Sequence, residues 1–438
     1  MKNIKYLCLL LGPLAGLFSC QGYLDEKPEK SILVPSTVED VRALLDYYTT
    51  INENALIDFI QADDWVTDDP NWQRLAPWEQ NAYLWQEQVF EPVERSTDYS
   101  RLYRKILTVN VSLDVLQDLE SSDEVRHLKG EALFVRALAY FQLAQLFLPS
   151  PVLDDGEIKI PVKLTPDMNQ SPQWWTVSEV LVQVEQDLLD SYGLISPGSL
   201  SQNRPNKKVA QAVLARLYLY TGRWEEALES AEYVLDQNTG SLLDYHEQDS
   251  LAPYPFALFN SEVLYYGITS SFSVTASAAT YVNMDLTEKY GKGDLRSALF
   301  FTKGTNGNLF KGSYNGDYNL FTGIALPEMY LTGAEALVRL GRTQEGLSLL
   351  GVLAGNRYQR PEDWEENLSK NPLDLVLEER QKEQVFRGTR WMDIKRLSAM
   401  GELGESPIRE IGGKAYHMPN PNRLYLELPN IELDLEFQ

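Results

Sequence analysis

Cysteine, histidine and basic residues are scarce in this chain of 438 residues. The two cysteines, Cys8 and Cys20, lie near the start, so the rest of the chain has no thiol for a disulfide, a thiolate metal site or a cysteine nucleophile. The three histidines lie far apart in sequence, and no zinc-protease, P-loop, G-x-S-x-G or dinucleotide-binding fingerprint occurs. The sequence therefore lacks the common enzyme signatures.

The charge balance is strongly acidic. The 39 Lys and Arg residues face 63 Asp and Glu residues, which gives a formal net charge of −24. Affinity for DNA or RNA depends on basic side chains that neutralise phosphates, so we expect no nucleic-acid partner. Hydrophobic residues make up 44% of the chain and aromatic residues 11%, which is too much for a disordered acidic chain and predicts a folded core.

The N-terminus has the layout of a secretory signal. Two lysines precede an apolar stretch that ends at Phe18, well short of the roughly 20 apolar residues that cross a bilayer. The run Leu17-Phe18-Ser19-Cys20 resembles a bacterial lipobox, in which cleavage before the cysteine is followed by its acylation. We predict a lipoprotein signal peptide at 1–19, lipidation of Cys20 and a tether at 20–35. The alternative is that Cys20 is an ordinary cysteine of the apolar stretch.

Helical signals dominate the remainder of the chain. Residues 207–236 predict two helices joined at Thr221-Gly222-Arg223, and they resemble a tetratricopeptide hairpin. A second copy of this pattern lies at 327–350. Between the copies, 239–325 is rich in Gly, Ser, Asn and Tyr without a sustained helical period, which predicts loops and short strands. We therefore predict a mainly α fold, with one domain over 36–438 in which helical hairpins pack against an irregular, loop-rich half that carries the ligand surface.

Local signals place further elements. Ser36-Thr37-Val38-Glu39 and Thr176-Val177-Ser178-Glu179 have the capping-box pattern that begins a helix. Asn371-Pro372 begins a helix predicted over 372–387. The alternating stretch 424–429 predicts a strand.

Aromatic side chains are the candidate ligand contacts. Sugar rings expose apolar C–H faces that stack on flat aromatic rings, while Asn, Gln and Asp bind the hydroxyls, so such a set binds glycans without catalysis. Core packing is the alternative interpretation for each ring. Trp72 and Tyr318 are favoured because each has a neighbouring asparagine. The full set is Trp65, Trp72, Trp78, Tyr281, Tyr314, Tyr318 and Phe321.

A calcium site and a glycosidase site are also suggested by the sequence, and each has a simpler explanation. The turn Asn315-Gly316-Asp317-Tyr318-Asn319 carries oxygen ligands that suit a calcium ion, and a simple turn explains the same residues. Adjacent carboxylates such as Asp63-Asp64 could serve a glycosidase, but a chain with 63 acidic residues contains such neighbours by chance. We therefore expect no catalytic residues and no cofactor, with a structural calcium ion as the alternative.

Four blocks, in the same order, resemble the RagB/SusD family of nutrient-binding outer-membrane lipoproteins. The fourth block contains Arg387-Gly388-Thr389-Arg390-Trp391-Met392-Asp393, close to the family's E-G-x-R-W-x-D pattern. Arg387 departs from that pattern, because the family usually has Glu there. The four blocks are Cys20 with 23–28, then 130–143, 207–236 and 378–396.

The resemblance implies a cell-surface lipoprotein, anchored to the outer membrane through Cys20, that binds its ligand without catalysis. Its ligand would be an oligosaccharide, with a peptide as the second choice, delivered to a SusC-like TonB-dependent transporter. We interpret Arg390, Trp391 and Asp393 as structural, with the tryptophan in the core and the charged groups in ion pairs. The rival hypotheses are a lipid-anchored scaffold of helical hairpins without a small-molecule ligand, and a lipid-anchored hydrolase.

Overall fold

Helices build most of the computed structural model, which describes residues 34–196, 201–237, 240–269, 274 and 280–430. The prediction of a mainly α fold is confirmed. The described residues from Thr37 onward belong to one compact unit. The predicted signal peptide, the lipidated Cys20 and the tether as far as residue 33 lie outside the described residues. No helix within these ranges is long and apolar enough to cross a bilayer.

The helices range from single turns to long amphipathic elements. The α-helices are α1 Val38–Leu45, α2 Tyr48–Ile51, α3 Ile57–Gln61, α4 Asp69–Trp72, α5 Pro77–Tyr83, α6 Thr97–Asp118, α7 Asp123–Phe147, α8 Val177–Leu194, α9 Lys207–Thr221, α10 Trp224–Asp236, α11 Met284–Thr287, α12 Arg296–Phe300, α13 Leu326–Arg339, α14 Thr343–Ala354, α15 Pro361–Glu365, α16 Pro372–Glu383 and α17 Arg390–Met400. Short 3-10 helices occur at Pro151–Leu153, Tyr245–Glu247, Glu366–Ser369 and Pro421–Arg423.

Polar side chains mark where the long helices begin. In α8 the Thr176 hydroxyl accepts from the backbone N–H of Glu179, whose carboxylate accepts from the Thr176 N–H at 2.9 Å, which is the predicted capping box. In α1 the box lies one residue later than predicted. Thr37 caps this helix because its hydroxyl accepts from the Asp40 N–H, and the Asp40 carboxylate accepts from the Thr37 N–H, each at 3.1 Å.

The helix pairs at 207–236 and 327–350 each turn at a glycine. Gly222 ends α9 with a φ of 75°, and Gly341 follows α13 with a φ of 78°, a left-handed conformation that glycine adopts without steric cost. The two pairs are distant in sequence but adjacent in space. A Cβ on Gly333 of α13 would lie 3.8 Å from the Ala231 Cβ of α10, so small residues allow these helices to approach closely.

The strands are short and occur as separate antiparallel pairs. They include the predicted strands of the 239–325 region, but 424–429 is not a strand, and that prediction is wrong. Leu424 and Leu426 are buried, as the alternation suggested. The Leu426 N–H, however, donates to the Leu146 carbonyl at the end of α7 instead of pairing with a neighbouring strand. The pairs are β1 Trp65–Val66 with β6 Tyr281–Val282, β2 Ile160–Val162 with β3 Gln173–Trp175, β4 Val263–Tyr265 with β10 Ile324–Ala325, β5 Ile268–Thr269 with β9 Leu320–Phe321, β7 Phe301–Lys303 with β8 Asn308–Phe310, and β11 Ile408–Ile411 with β12 Lys414–His417.

Buried ion pairs connect α16 to the rest of the core. The Arg296 guanidinium, which is 0% exposed, lies 2.6 Å from Glu379 and 3.2 Å from Glu383. Arg357 is also 0% exposed and pairs with Glu262 at 2.8 Å and Glu383 at 3.0 Å. Burial opposes ionisation of Glu379, but the charge of Arg296 outweighs it and the pKa falls to about 2. Since each buried charge has an opposite partner, the network fixes how α16 packs.

The fourth sequence block, 378–396, spans the end of α16, the turn that follows it and the start of α17. The helix predicted to reach residue 387 ends at Glu383, because Phe386 has a φ of 59° and Gly388 a φ of 71°. On α17, Asp393 accepts from Arg380 at 2.8 Å, and Arg390 pairs with Asp63 at 2.6 Å. Trp391 is 1% exposed and belongs to a separate apolar cluster with Trp85, Ile394, Met418 and Leu424.

Candidate functional site

The seven candidate aromatic residues divide into a buried group and a solvent-facing group. Exposures of 7% or less place four of them in the core: Trp65, Tyr281, Tyr314 and Phe321. The other three face solvent at least in part: Trp72, Trp78 and Tyr318. The four buried rings therefore pack in the core, and of these Trp65 also lines the cleft described below.

Short strand pairs and hydrogen bonds hold the buried rings inside. Trp65 lies on β1, and its indole nitrogen donates to the Phe59 carbonyl at 3.1 Å. The Tyr314 hydroxyl donates to Glu262, and its ring lies 5.7 Å from that of Phe321 on β9. Each of these polar ring atoms already has a buried partner, which is typical of a core aromatic residue.

The solvent-facing tryptophans lie on the short helices α4 and α5. Asp68 caps α4 by accepting from the Asn71 N–H at 3.0 Å, and proline occupies the first turn. The Trp72 indole nitrogen donates to the Gln80 carbonyl of α5 at 3.4 Å, so the ring lies against the second helix. Trp78 is on α5 as well, and its side chain packs against the core with part of its surface exposed.

Amide and carboxylate groups border Trp72. One Asp68 oxygen accepts from the Asn71 side-chain amide at 2.5 Å, and the other accepts from the Asn306 amide at 3.2 Å. Asn306 comes from the turn between β7 and β8, so the group joins two distant parts of the chain. We call Asp68, Asn71, Trp72 and Asn306 the Trp72 surface. It combines a partly exposed indole ring with donors and acceptors suited to hydroxyl groups.

Tyr318 is on a different surface element, the turn at 313–319. The ring is 56% exposed. Asp317 holds this turn by accepting from the Asn319 N–H at 2.8 Å and from the Asn319 side-chain amide at 3.0 Å. Within the described ranges no three His, Cys, Asp or Glu side chains gather as metal ligands, and calcium at this turn stays a prediction.

A cleft of about 410 Å³ lies between β1, α11 and the segment 403–409; we call it the 403–409 cleft. The Lys289 ammonium donates to the Gln381 side chain at 2.6 Å within it. The hairpin that lines the cleft also contacts α4, the helix that carries Trp72, because the Gly412 N–H donates to Asp69 at 2.9 Å. The charged lining residues have both signs: Asp63, Asp285, Lys289, Arg390, Glu405 and Arg409.

The surroundings of Asp63 and Asp64 shift the pKa values of the two carboxyl groups in opposite directions. Burial opposes ionisation of Asp63, but its ion pair with Arg390 outweighs this effect and lowers its pKa. Asp64 is 2% exposed, and burial together with the neighbouring Asp63 charge raises its pKa to about 7. Asp63 lines the cleft and Asp64 does not. The pair therefore does not place two carboxylates across a substrate, as glycoside hydrolysis requires.

Several residues of the cleft were not predicted from the sequence. Lys289, Gln381 and Arg409 come from three separate segments, and only Gln381 lies within one of the four sequence blocks. Arg409 is 4% exposed, and its guanidinium lies 4.0 Å from the Tyr83 ring. It donates to the backbone carbonyls of Tyr83, Ala62 and Ile60, the last at 3.1 Å. The only sequence signal that could have pointed to Arg409 was a basic residue within the alternating pattern of β11.

Comparisons with known proteins agree with this architecture. Residues 22–219 match a SusD-like family model described as starch-binding and associating with the outer membrane. The SusD-like protein P2 of Formosa agariphila is 24% identical over 385 residues, which cover 72% of this chain and 73% of that protein. A second relative, SusD-like protein P25 of the same organism, is 22% identical over 264 residues, which cover 57% of this chain and 48% of that protein.

Solved structures share the fold at low sequence identity. A SusD superfamily protein of Bacteroides thetaiotaomicron has a TM-score of 0.73 and 20% identity, and the match covers 91% of this chain and 98% of that one. A laminarin-binding SusD-like protein has a TM-score of 0.61 and 19% identity, with 90% and 95% covered. Together these matches show that the chain has the fold of SusD superfamily structures and is similar to SusD-like proteins, in agreement with the resemblance carried by the four sequence blocks.

Proposed function

We propose that this protein binds oligosaccharides and that the Trp72 surface holds a sugar ring. The observation that carries the proposal is the partly exposed Trp72 indole, bordered by an oriented carboxylate and two amides. An indole face stacks on the C–H face of a pyranose, and the polar groups bind its hydroxyls. The family description and the laminarin-binding relative support a carbohydrate ligand.

The finer proposal concerns location and delivery. The protein would be anchored to the outer membrane by lipid on Cys20, face the cell surface and pass its ligand to a SusC-like TonB-dependent transporter without breaking a bond. The family description, which associates such proteins with the outer membrane, supports the location. The lipobox pattern at Leu17 to Cys20 supports the anchor.

Titration of the purified protein with laminarin and starch oligosaccharides tests the binding site. Trp72→Ala removes the stacking surface, and we expect its affinity to fall about tenfold or more, since aromatic anchors commonly contribute about 2 kcal/mol. Trp174→Ala is the matched control, because Trp174 is also on the surface, at 37% exposure, but lies on β3. Unchanged binding by the Trp72 variant, or equal loss in both variants, contradicts the assignment.

The rival hypotheses predict other outcomes. A helical scaffold without a small-molecule ligand binds neither glycans nor a parallel panel of peptides. A hydrolase releases new reducing ends from a glycan that it binds.

Protease treatment of intact cells tests location, since a protein protected until lysis does not face the exterior. Copurification of a TonB-dependent transporter with the wild-type protein tests the partner.

A further inference from the structure

The 403–409 cleft is lined by two cations that have unused hydrogen-bond donors. The first is Lys289, which lies in the turn after α11 and is exposed to solvent. Its ammonium donates to the Gln381 side chain at 2.6 Å and forms no ion pair among the described residues. Since a lysine ammonium carries three N–H donors, two of them are available to a ligand.

Arg390, at the start of α17, is the second cation. Its Nε and Nη2 donate to the two oxygens of Asp63 at 2.6 and 2.8 Å, and this bidentate pair fixes the plane of the guanidinium. Nη1 has no hydrogen-bond partner among the described residues, and it is not sealed from solvent, because the Arg390 side chain is 13% exposed. The pair with Asp63 therefore leaves one nitrogen of Arg390 available to a ligand.

The protein does not fully compensate the charge of Lys289. Burial and the charge of Arg390 lower the pKa of Lys289, and together they outweigh the opposite effect of Asp63 and other carboxylates. The two cations are thus within electrostatic reach of each other, and an anion bound beside them offsets their repulsion. Asp285 and Glu405 also line the cleft and are exposed, so the cleft favours a ligand with one negative charge over a polyanion.

The size and the remaining lining of the cleft suit one sugar unit. Its volume of about 410 Å³ lies within the range of pockets that bind small molecules, roughly 300–1,000 Å³. Ile408, which is 55% exposed, offers an apolar surface to the C–H face of a sugar ring. The exposed hydroxyl of Ser406 lies in the same segment and can bind a sugar hydroxyl.

We propose that the 403–409 cleft binds an acidic sugar unit, whose carboxylate accepts from Lys289 Nζ with one oxygen and from Arg390 Nη1 with the other. Hydrogen bonds between a cation and a carboxylate are about twice as strong as neutral ones, so the carboxylate is the main anchor. The sugar ring packs against Ile408. This site is separate from the Trp72 surface, because the two share no residue. The choice of a sugar over another carboxylate ligand rests on the proposed carbohydrate-binding function.

Glucuronate and glucose are matched probes, because they differ only in the carboxylate. Titrated against the purified protein at low salt by ligand-observed NMR, glucuronate should bind saturably and about tenfold or more tightly than glucose, and added salt should weaken its binding. N-acetylglycine carries a carboxylate like that at the end of a peptide, and we expect it to bind about tenfold or more weakly than glucuronate. Equal binding of glucuronate and glucose overturns the charge argument, and equal binding of N-acetylglycine overturns the choice of a sugar.

Lys289→Met tests the anchor, because it removes the ammonium and keeps most of the length of the side chain. Since Lys289 is exposed, we expect a folded variant, which thermal unfolding checks, and a glucuronate affinity about tenfold or more weaker. Lys289→Arg keeps the charge and should retain most of the affinity. Lys292→Met is the matched control, because Lys292 is exposed three positions later and does not line the cleft. No loss in Lys289→Met, or equal loss in both methionine variants, overturns the inference.

Trp72→Ala separates this inference from the proposed function. We expect this variant to lose oligosaccharide binding at the Trp72 surface while it retains glucuronate binding in the 403–409 cleft. Glucuronate binding that disappears in Trp72→Ala but persists in Lys289→Met overturns the inference and leaves the Trp72 proposal in place. Glucuronate binding that depends on Lys289, in a protein whose oligosaccharide binding does not depend on Trp72, supports the inference and contradicts the Trp72 proposal.

Discussion

Replacing Asp64 by asparagine is expected to change how the stability of the protein depends on pH. Burial and the Asp63 charge raise the pKa of Asp64 to about 7, against 3.8 for an ordinary aspartate. Between these values the folded chain holds a proton that the unfolded chain has released. The free energy of unfolding therefore falls as the pH rises, by about 1.4 kcal/mol for each pH unit. Above pH 7 this one carboxyl costs roughly 4 kcal/mol relative to pH values below 3.8.

Urea unfolding of the wild type and of Asp64→Asn, over pH values from about 4 to 8, measures this effect. Asparagine keeps the size of the side chain and cannot ionise, so we expect the variant to lose this slope and to exceed the wild type in stability at the alkaline end. Asp63→Asn is a second test, because it removes the charge that helps raise the pKa of Asp64 and also the ion pair with Arg390, so we expect a shallower slope together with the loss of that ion pair. Identical slopes for the wild type and Asp64→Asn would refute the reasoning.

Three further substitutions test the packing. Arg357→Met leaves Glu262 and Glu383 without this buried partner, and we expect urea denaturation to show a loss of about 3–5 kcal/mol. Gly323→Ala would put a Cβ too close to a backbone carbonyl of β4, so thermal unfolding should show a severe loss or no folded protein. Gly341→Ala, at a φ of 78° with open space around it, should cost only about 1–2 kcal/mol, and an effect equal to that of Gly323→Ala would contradict this account.

Local features of the fold were predictable because neighbouring residues determine them. The capping box at Thr176 and the left-handed glycine at Gly222 follow from short patterns, and the structure has helices beginning and ending there. The burial of Trp65 and Phe321 was not predictable, because strands of two residues have no measurable period and pair with distant segments. Their aromatic character is equally compatible with a core and with a ligand surface.

The candidate sites also contain residues that the sequence predicted and residues that it did not. Asp68, Asn71 and Trp72 are close in sequence, so the combination of aromatic and amide groups was visible there. Asn306 joins them only through the β7–β8 turn.

The long-range contacts of the C-terminal segment have a consequence for the order in which the core forms. Arg390 pairs with Asp63, 327 positions earlier, and Arg409 donates to Ile60, 349 positions earlier. The Arg409 guanidinium also lies over the rings of Trp65 and Tyr83. Contacts at such sequence separations form only when nearly the whole chain is available, so the core around these two rings is complete only once the C-terminal segment has docked.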